Sequence, residues 1–481
     1  MLFSSVVFVF YFLPIVSILY FCLGFSRPAQ NVLLFFASIF FYAWGEPRFV
    51  LILLASILFN YLMGLLVDKY WEKKNVAKRF VILTTLVNVG ILFIFKYLNF
   101  AIRNINGIFL LYGKEIQIPT IALPLGISFF TFQAMSYVFD VYRGDAKVEK
   151  NPLYLGLYIA FFPQLIAGPI VRFNTVAKQI RQRKITKNGF AAGCSRFALG
   201  FVKKMLLANN FAIVADHIFR MSEGSGTYAV PVLLAWLGAA AYTLQIFYDF
   251  SAYSDMAIGL GLMFGFKFEE NFNYPYISKS VGEFWRRWHI SLSTWFREYV
   301  YIPLGGSRVS NQDKMVRNLL IVWMLTGIWH GAEWSFVLWG FYNFAFILLE
   351  RLTDFEDRRM PNILKHIYLL FAVSIGWVLF RADNLYMAFV YLGNMFGFSG
   401  NGFFSDTAWM FLREYGVFLI VGVLFSMPVF RKMEELIVNR KIPIIGIIYN
   451  TLYPLVLLTL FIVSVTYLVR GIYNPVICFD F

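Results

Sequence analysis

The chain has 481 residues, of which 59% fall in the set AVILMFWYC and only 14% are charged. Soluble domains average about 45–50% apolar and about 25% charged residues, so a disordered chain and a soluble multidomain enzyme are excluded and lipid is the expected solvent. The net charge is +15, but the basic residues cluster in short connections between apolar runs, which fits membrane orientation and anionic lipid and disfavours nucleic acid.

Residues 1–26 carry no charge, and Arg27 is the first basic residue. A signal peptide carries its positive charge before the apolar run, so this segment is expected to be a first transmembrane helix with its amino terminus outside. Uncharged runs follow over 28–45, 49–67, 80–95, 116–139, 151–171, 224–248, 367–380, 415–430 and 442–469, with less clean stretches near 189–215, 250–266 and 318–349. Since about 20 apolar residues cross the hydrocarbon, about eleven transmembrane helices are predicted, together with re-entrant and interfacial amphipathic pieces. Alternating ten-residue strands are absent, which excludes an outer-membrane barrel. The fold class is an all-α polytopic membrane protein, read as a single domain over 1–481. N-terminal helices occupy 1–115, a core 116–350 and C-terminal helices 351–481.

Three basic clusters set the orientation. Lys69, Lys73, Lys74, Lys78 and Arg79 form the first; Arg172, Lys178, Arg181, Arg183, Lys184 and Lys187 the second; Arg431, Lys432, Arg440 and Lys441 the third. The positive-inside rule makes all three cytoplasmic and leaves both termini extracytoplasmic, in a multi-pass protein of the cell membrane.

Ionisable groups within membrane segments are costly and mark functional sites by default. In Tyr248–Asp255, Asp249 and Asp255 stand six apart, 120° off a common helical face. They are therefore helix caps or acceptors at a break, or, with Ser251, ligands for polar substrate groups or a catalytic imidazole. The stretch from Glu283 to Tyr299 has the pattern of one amphipathic helix. Trp285, Trp288, Leu292 and Trp295 lie on one face, Arg286, Ser293 and Arg297 on the other, and His289 at the boundary. An interfacial helix is the plain alternative. The third patch, Thr326–Trp334, holds Trp329, His330 and Glu333 near the middle of the apolar stretch 318–349. At 1.5 Å per residue that stretch is too long for one straight span, so it is tilted, broken or protruding. Gly327 and Gly331 form G-x-x-x-G and would admit a close backbone beside His330. His217 and His366 sit near span ends and look structural. Cys22, Cys194 and Cys478 have no metal-ligand spacing, and no metal is expected.

These residues allow an enzyme moving an acyl group to a hydroxyl, or a transporter with a proton-relay histidine. A neutral imidazole suits proton removal from an alcohol near pH 7, and no repeat symmetry of the transporter kind is evident, which favours the enzyme.

The motifs Trp285-Arg286-Arg287-Trp288-His289-Ile290-Ser291-Leu292-Ser293, Tyr301-Ile302-Pro303-Leu304-Gly305-Gly306 and Trp329-His330-Gly331-Ala332 closely resemble the membrane-bound O-acyltransferase family. Leu123–Gln133, Ala167–Ile170, Asp249–Ser251 and Tyr253–Gly259 extend the match over most of the chain, densest at 121–345. The branch it resembles includes the membrane subunit of alginate O-acetylation. The resemblance implies the fold of that family, His330 as the catalytic histidine and His289 as the second site residue. It also implies a cytoplasmic donor, acetyl-coenzyme A, with no bound cofactor, and a polysaccharide acceptor reached through an extracytoplasmic SGNH-type acetyltransferase. D-alanyl transfer to teichoic acid from a carrier-protein thioester is the runner-up. In that case an acidic carrier protein would meet the basic run Arg172–Lys187.

Overall fold

A computed structural model describes residues 1–223, 230–307, 311–429, 431–432, 435–436, 443–471 and 473–477. Arg440, Lys441 and Cys478, named above, lie outside the described residues. Helices occur in the order α1 Leu13–Cys22, α2 Arg27–Gly45, α3 Val50–Lys69, α4 Lys74–Leu92, α5 Leu98–Phe109, α6 Ile127–Arg143, α7 Pro152–Ala160, α8 Phe162–Leu165, α9 Phe173–Gln182 and α10 Lys187–Val202. The order continues with α11 Asn209–Glu223, α12 Val232–Met263, α13 Val281–Arg287, α14 Ile290–Phe296, α15 Gln312–His330, α16 Trp334–Leu352, α17 Asn362–Arg381, α18 Leu385–Met395, α19 Asp406–Phe425 and α20 Pro443–Val469. No strand occurs among the described residues, as expected where each backbone polar group must be satisfied within its own segment.

Among the described residues eight helical segments are long and apolar enough to cross a membrane. They are Val50–Lys69, Lys74–Tyr112, Lys187–Glu223, Val232–Met263, Trp334–Leu352, Asn362–Arg381, Asp406–Phe425 and Thr451–Val469. Several runs expected to span singly are built otherwise. In 116–139, helix α6 begins only after Gly126, whose φ of 71° ends an irregular lead-in containing Pro119 and Pro124; proline there removes N–H donors that a helix would need. The run 151–171 divides into α7 and α8, because Phe161, with ψ 114°, stands between them just ahead of Pro163. The runs 224–248 and 250–266 join in one helix, α12, without the break expected near Asp249.

The chain forms two compact units, Met1–Phe197 with Met256–Glu269, and Ala198–Asp255 with Glu270–Phe481. In the first, Phe8, Phe41 and Phe162 pack as mutual ring neighbours with centroids 5.8, 6.2 and 5.6 Å apart. Arg183 of the basic run is buried in this unit: it donates to Asn31 Oδ1 at 2.7 Å, to the Tyr20 hydroxyl at 2.8 Å and to the Phe264 carbonyl at 3.0 Å. Arg181 pairs with Glu149. Two of the run's six cations therefore brace the fold. The second unit contains both candidate site histidines, His289 and His330.

Candidate active site

Helix α13 starts at a dense cap. The Ser280 Oγ accepts the Glu283 N–H at 2.9 Å, and the buried Glu350 carboxylate accepts the N–H groups of Val281 at 2.5 Å and Gly282 at 2.8 Å. Three N-terminal donors that a helix leaves open are thereby satisfied. The expected continuous helix from Glu283 to Tyr299 is not formed. It stops at Arg287, Trp288 is extended, and His289 takes φ 44° and ψ 53° before α14 begins. A left-handed non-glycine residue costs about 1–3 kcal/mol and persists only where its surroundings hold it.

The holding residue is Asn271. Its carbonyl accepts the Ile290 N–H at 2.9 Å. Its Oδ1 accepts the Ser291 N–H at 3.1 Å and the Ser291 hydroxyl at 2.9 Å, and lies 3.2 Å from His289 Nδ1. The Ser291 N–H can only donate, so the oxygen end of the amide faces this cluster and His289 Nδ1 carries the proton. The other ring nitrogen, Nε2, then holds the lone pair. His289 is 1% exposed and outside the eight apolar segments; burial pushes its pKa down to about 3, so the ring is neutral. Its ring meets Phe250 edge-on at 4.6 Å.

The stretch 318–349 is broken. Residues of α15 and α16 form a hairpin whose turn follows His330, the last residue of α15. Gly327 and Gly340 set the crossing: a Cβ on Gly327 would stand 2.5 Å from the Phe336 carbonyl, and one on Gly340 2.5 Å from the Trp323 carbonyl. Gly331 admits no backbone neighbour of this kind. A Cβ there would meet the Phe336 ring at 2.1 Å, so the G-x-x-x-G pair serves two different partners. The imidazole of His330 is ringed by Trp329 at 4.9 Å, Trp339 at 5.0 Å and Phe380 at 5.1 Å. Trp329 also meets His289 at 6.4 Å, placing one indole against both histidines.

The remaining predicted residues divide. Ser293 donates to the Trp285 carbonyl at 3.3 Å, tying α14 to α13. Glu333 is the residue preceding α16, beyond the turn after His330. Asp249 pairs with Lys204 at 2.6 Å and accepts the Ile477 N–H at 2.8 Å, while Asp255 pairs with Lys203 at 2.6 Å. These carboxylates lie within an unbroken helix and neutralise lysines. Ser251 is buried beside Phe250 on the same helix. Arg286 points to a polar cleft and pairs with Glu356 at 2.7 Å. His366 Nδ1 donates to the Ser278 carbonyl at 2.9 Å, and His217 packs on Phe411, both structural contacts. Sequence reasoning missed Asn271, Lys203, Lys204 and Glu350. None belongs to a periodic pattern, and only the presence of charge within apolar helices could have flagged the last three.

A neutral histidine with its Nδ1–H oriented and its Nε2 lone pair available to accept a hydrogen bond shares the Trp329 indole with an aromatic-walled second histidine. This suits the orientation of a polar substrate group beside a second imidazole that can take a proton from a hydroxyl. The family model for membrane-bound O-acyltransferases matches residues 146–387. The chain is 45% identical over 400 residues to "Probable alginate O-acetylase AlgI" of Pseudomonas aeruginosa, covering 83% of this chain and 75% of the relative. It is 34% identical over 478 residues to the peptidoglycan O-acetyltransferase of Helicobacter pylori, covering 91% and 88% respectively. The teichoic acid D-alanyltransferase of Bacillus subtilis is 33% identical over 230 residues, covering 46% and 56%. With its helical architecture and buried histidine pair, the chain is an O-acyltransferase belonging to the membrane-bound O-acyltransferase family.

Proposed function

We propose that the protein takes an acetyl group from a cytoplasmic thioester, acetyl-coenzyme A, and delivers it across the membrane for O-acetylation of an extracytoplasmic polysaccharide. The observation that carries this reading is His330 at the turn of a helix hairpin, walled by aromatic rings, a setting suited to shielding a thioester from water. A His330 nitrogen takes the proton of an acceptor hydroxyl as its oxygen attacks the thioester carbonyl. The C–S bond then breaks, and the same proton passes to the departing thiolate. His289 orients the acceptor. The acceptor hydroxyl is that of the polysaccharide or of an SGNH-type acetyltransferase outside the membrane, with both termini of this chain on that side. The names of the alginate and peptidoglycan relatives support acetyl as the group moved.

The test is acetyl transfer by purified protein in vesicles, with thioester supplied on one side and acceptor on the other. His330→Ala should lower the rate about 10²–10⁴-fold, the usual contribution of a general base, while insertion and yield are unchanged. A rate near that of the unaltered protein would refute the assignment. Transfer only from a carrier-protein D-alanyl thioester would replace the donor.

A further inference from the structure

The first compact unit gathers positive charge with nothing acidic to answer it. Residues 1–45, 150–197 and 256–268 contain no Asp or Glu. From these segments come Arg27 at the start of α2, Arg183 and Lys184 just after α9, and Lys187 at the start of α10. None of the four meets a carboxylate among the described residues, unlike Arg181, which Glu149 neutralises.

The two arginines are locked together. The buried Tyr20 hydroxyl accepts from Arg183 Nε at 2.8 Å and from Arg27 Nη1 at 3.5 Å, and donates to the Phe264 carbonyl at 2.7 Å. Arg27 Nη2 donates to the Arg183 carbonyl at 2.6 Å, and its Nη1 to Gln30 Oε1 at 2.6 Å. Two guanidinium nitrogens on one oxygen stand about 6 Å apart or closer, where like charges repel. Arg183 is 4% exposed, its Nη2 is buried without a hydrogen-bond partner, and its Cζ lies 4.4 Å from the centre of the Phe266 ring. Neutral acceptors and a ring surround these cations, and none of them carries the opposite charge. A buried charge is costly without a counter-charge, so an external anion stabilises this cluster.

The surroundings select the anion. Lys184 and Lys187 are exposed. Phe21, at the end of α1, meets Phe190 in the first turn of α10 with ring centroids 5.2 Å apart, so the basic residues share one end of these helices. Phe25, between α1 and α2, is 84% exposed, and Val32, Phe36, Phe40 and Trp44 make an exposed ridge along α2 at four-residue steps. Cations at a helix end, with an apolar ridge running away from them, match the headgroup and acyl chains of a phospholipid. The positive-inside rule assigns this end to the cytoplasmic leaflet, where anionic lipids draw basic segments. A soluble phosphate compound would leave the ridge uncovered.

We propose that Arg27, Lys184 and Lys187, backed by the buried charge of Arg183, bind the phosphate of an anionic phospholipid whose acyl chains lie along α2. The test uses the full chain in detergent, offered phosphatidylglycerol and phosphatidylcholine in equal amounts, with retained lipids counted by native mass spectrometry. The unaltered protein should retain phosphatidylglycerol preferentially, and that lipid should raise its melting temperature more than phosphatidylcholine does. Lys184→Gln with Lys187→Gln alters two exposed side chains, so the fold is kept. The preference should fall about 10–30-fold in this variant, at about fivefold for each cation near a membrane surface. Arg27→Lys keeps the charge and should retain more of the preference than Arg27→Gln. Equal retention of the two lipids by the unaltered protein overturns the proposal, as does an unchanged preference in the double variant. Capture of an acidic carrier protein that depends on the same lysines, with no lipid preference, overturns it in favour of a protein partner.

Discussion

The side-chain oxygen of Asn271 lies 3.2 Å from Nδ1 of His289 and also accepts two hydrogen bonds from Ser291. One amide therefore sets the tautomer of a candidate site histidine and supports its left-handed backbone, φ 44°. Asn271→Ala removes the acceptor and leaves the imidazole N–H buried and unpaired, a cost of about 1–3 kcal/mol. Transfer should fall about 10–100-fold and thermal stability should drop. Asn271→Asp retains the acceptor and should recover more than half of the lost stability on the same melting curve.

Neutrality of His289 has a pH signature. Its pKa is depressed by burial from 6.5 to about 3, so between those values the unfolded chain binds a proton that the folded chain does not. The contribution to stability is full above pH 6.5 and is lost as pH falls toward 3. In detergent, His289→Asn should flatten the decline of the melting temperature across that window. The acid limb of the transfer rate, if it lies above pH 5, should stay where it is in His289→Asn, because it must arise from another group. Partial activity should remain in this variant, since an amide can still orient the acceptor.

Lys204 and Asp249 form a pair in which both side chains are less than 5% exposed. Removing one partner strands a charge, at about 3–5 kcal/mol. Lys204→Met should therefore lower the yield of folded protein sharply. Adding Asp249→Asn should restore most of it, as measured by gel-filtration recovery and melting. If the double variant is as damaged as the single one, the pair does more than neutralise charge.

Gly331→Ala places a methyl group 2.1 Å from the Phe336 ring at the hairpin turn. Overpacking of this kind costs about 1–3 kcal/mol and displaces the residue next to His330. Transfer should fall, and Phe336→Leu in the same chain should recover part of both rate and melting temperature. A double-mutant cycle without coupling would show that the ring yields freely.

Membrane residence, the helical class and the two Trp-His dipeptides are legible in the chain because each is local: uncharged runs, charge in the connections, and motifs a few residues long. Length, at 1.5 Å per residue, left 318–349 tilted, broken or protruding, and the structure breaks it after His330. Tertiary structure decided the rest. Periodicity makes residues 283–299 one helix, yet Asn271, 18 positions upstream of His289, stabilises a left-handed residue that divides it. Spacing leaves Asp249 and Asp255 as helix caps or acceptors at a break or as candidate ligands, whereas Lys203 and Lys204, between α10 and α11, pair with both and α12 runs on unbroken. A hydrogen bond or ion pair between distant segments has no period, and it forms only when packing brings its two ends within about 3 Å.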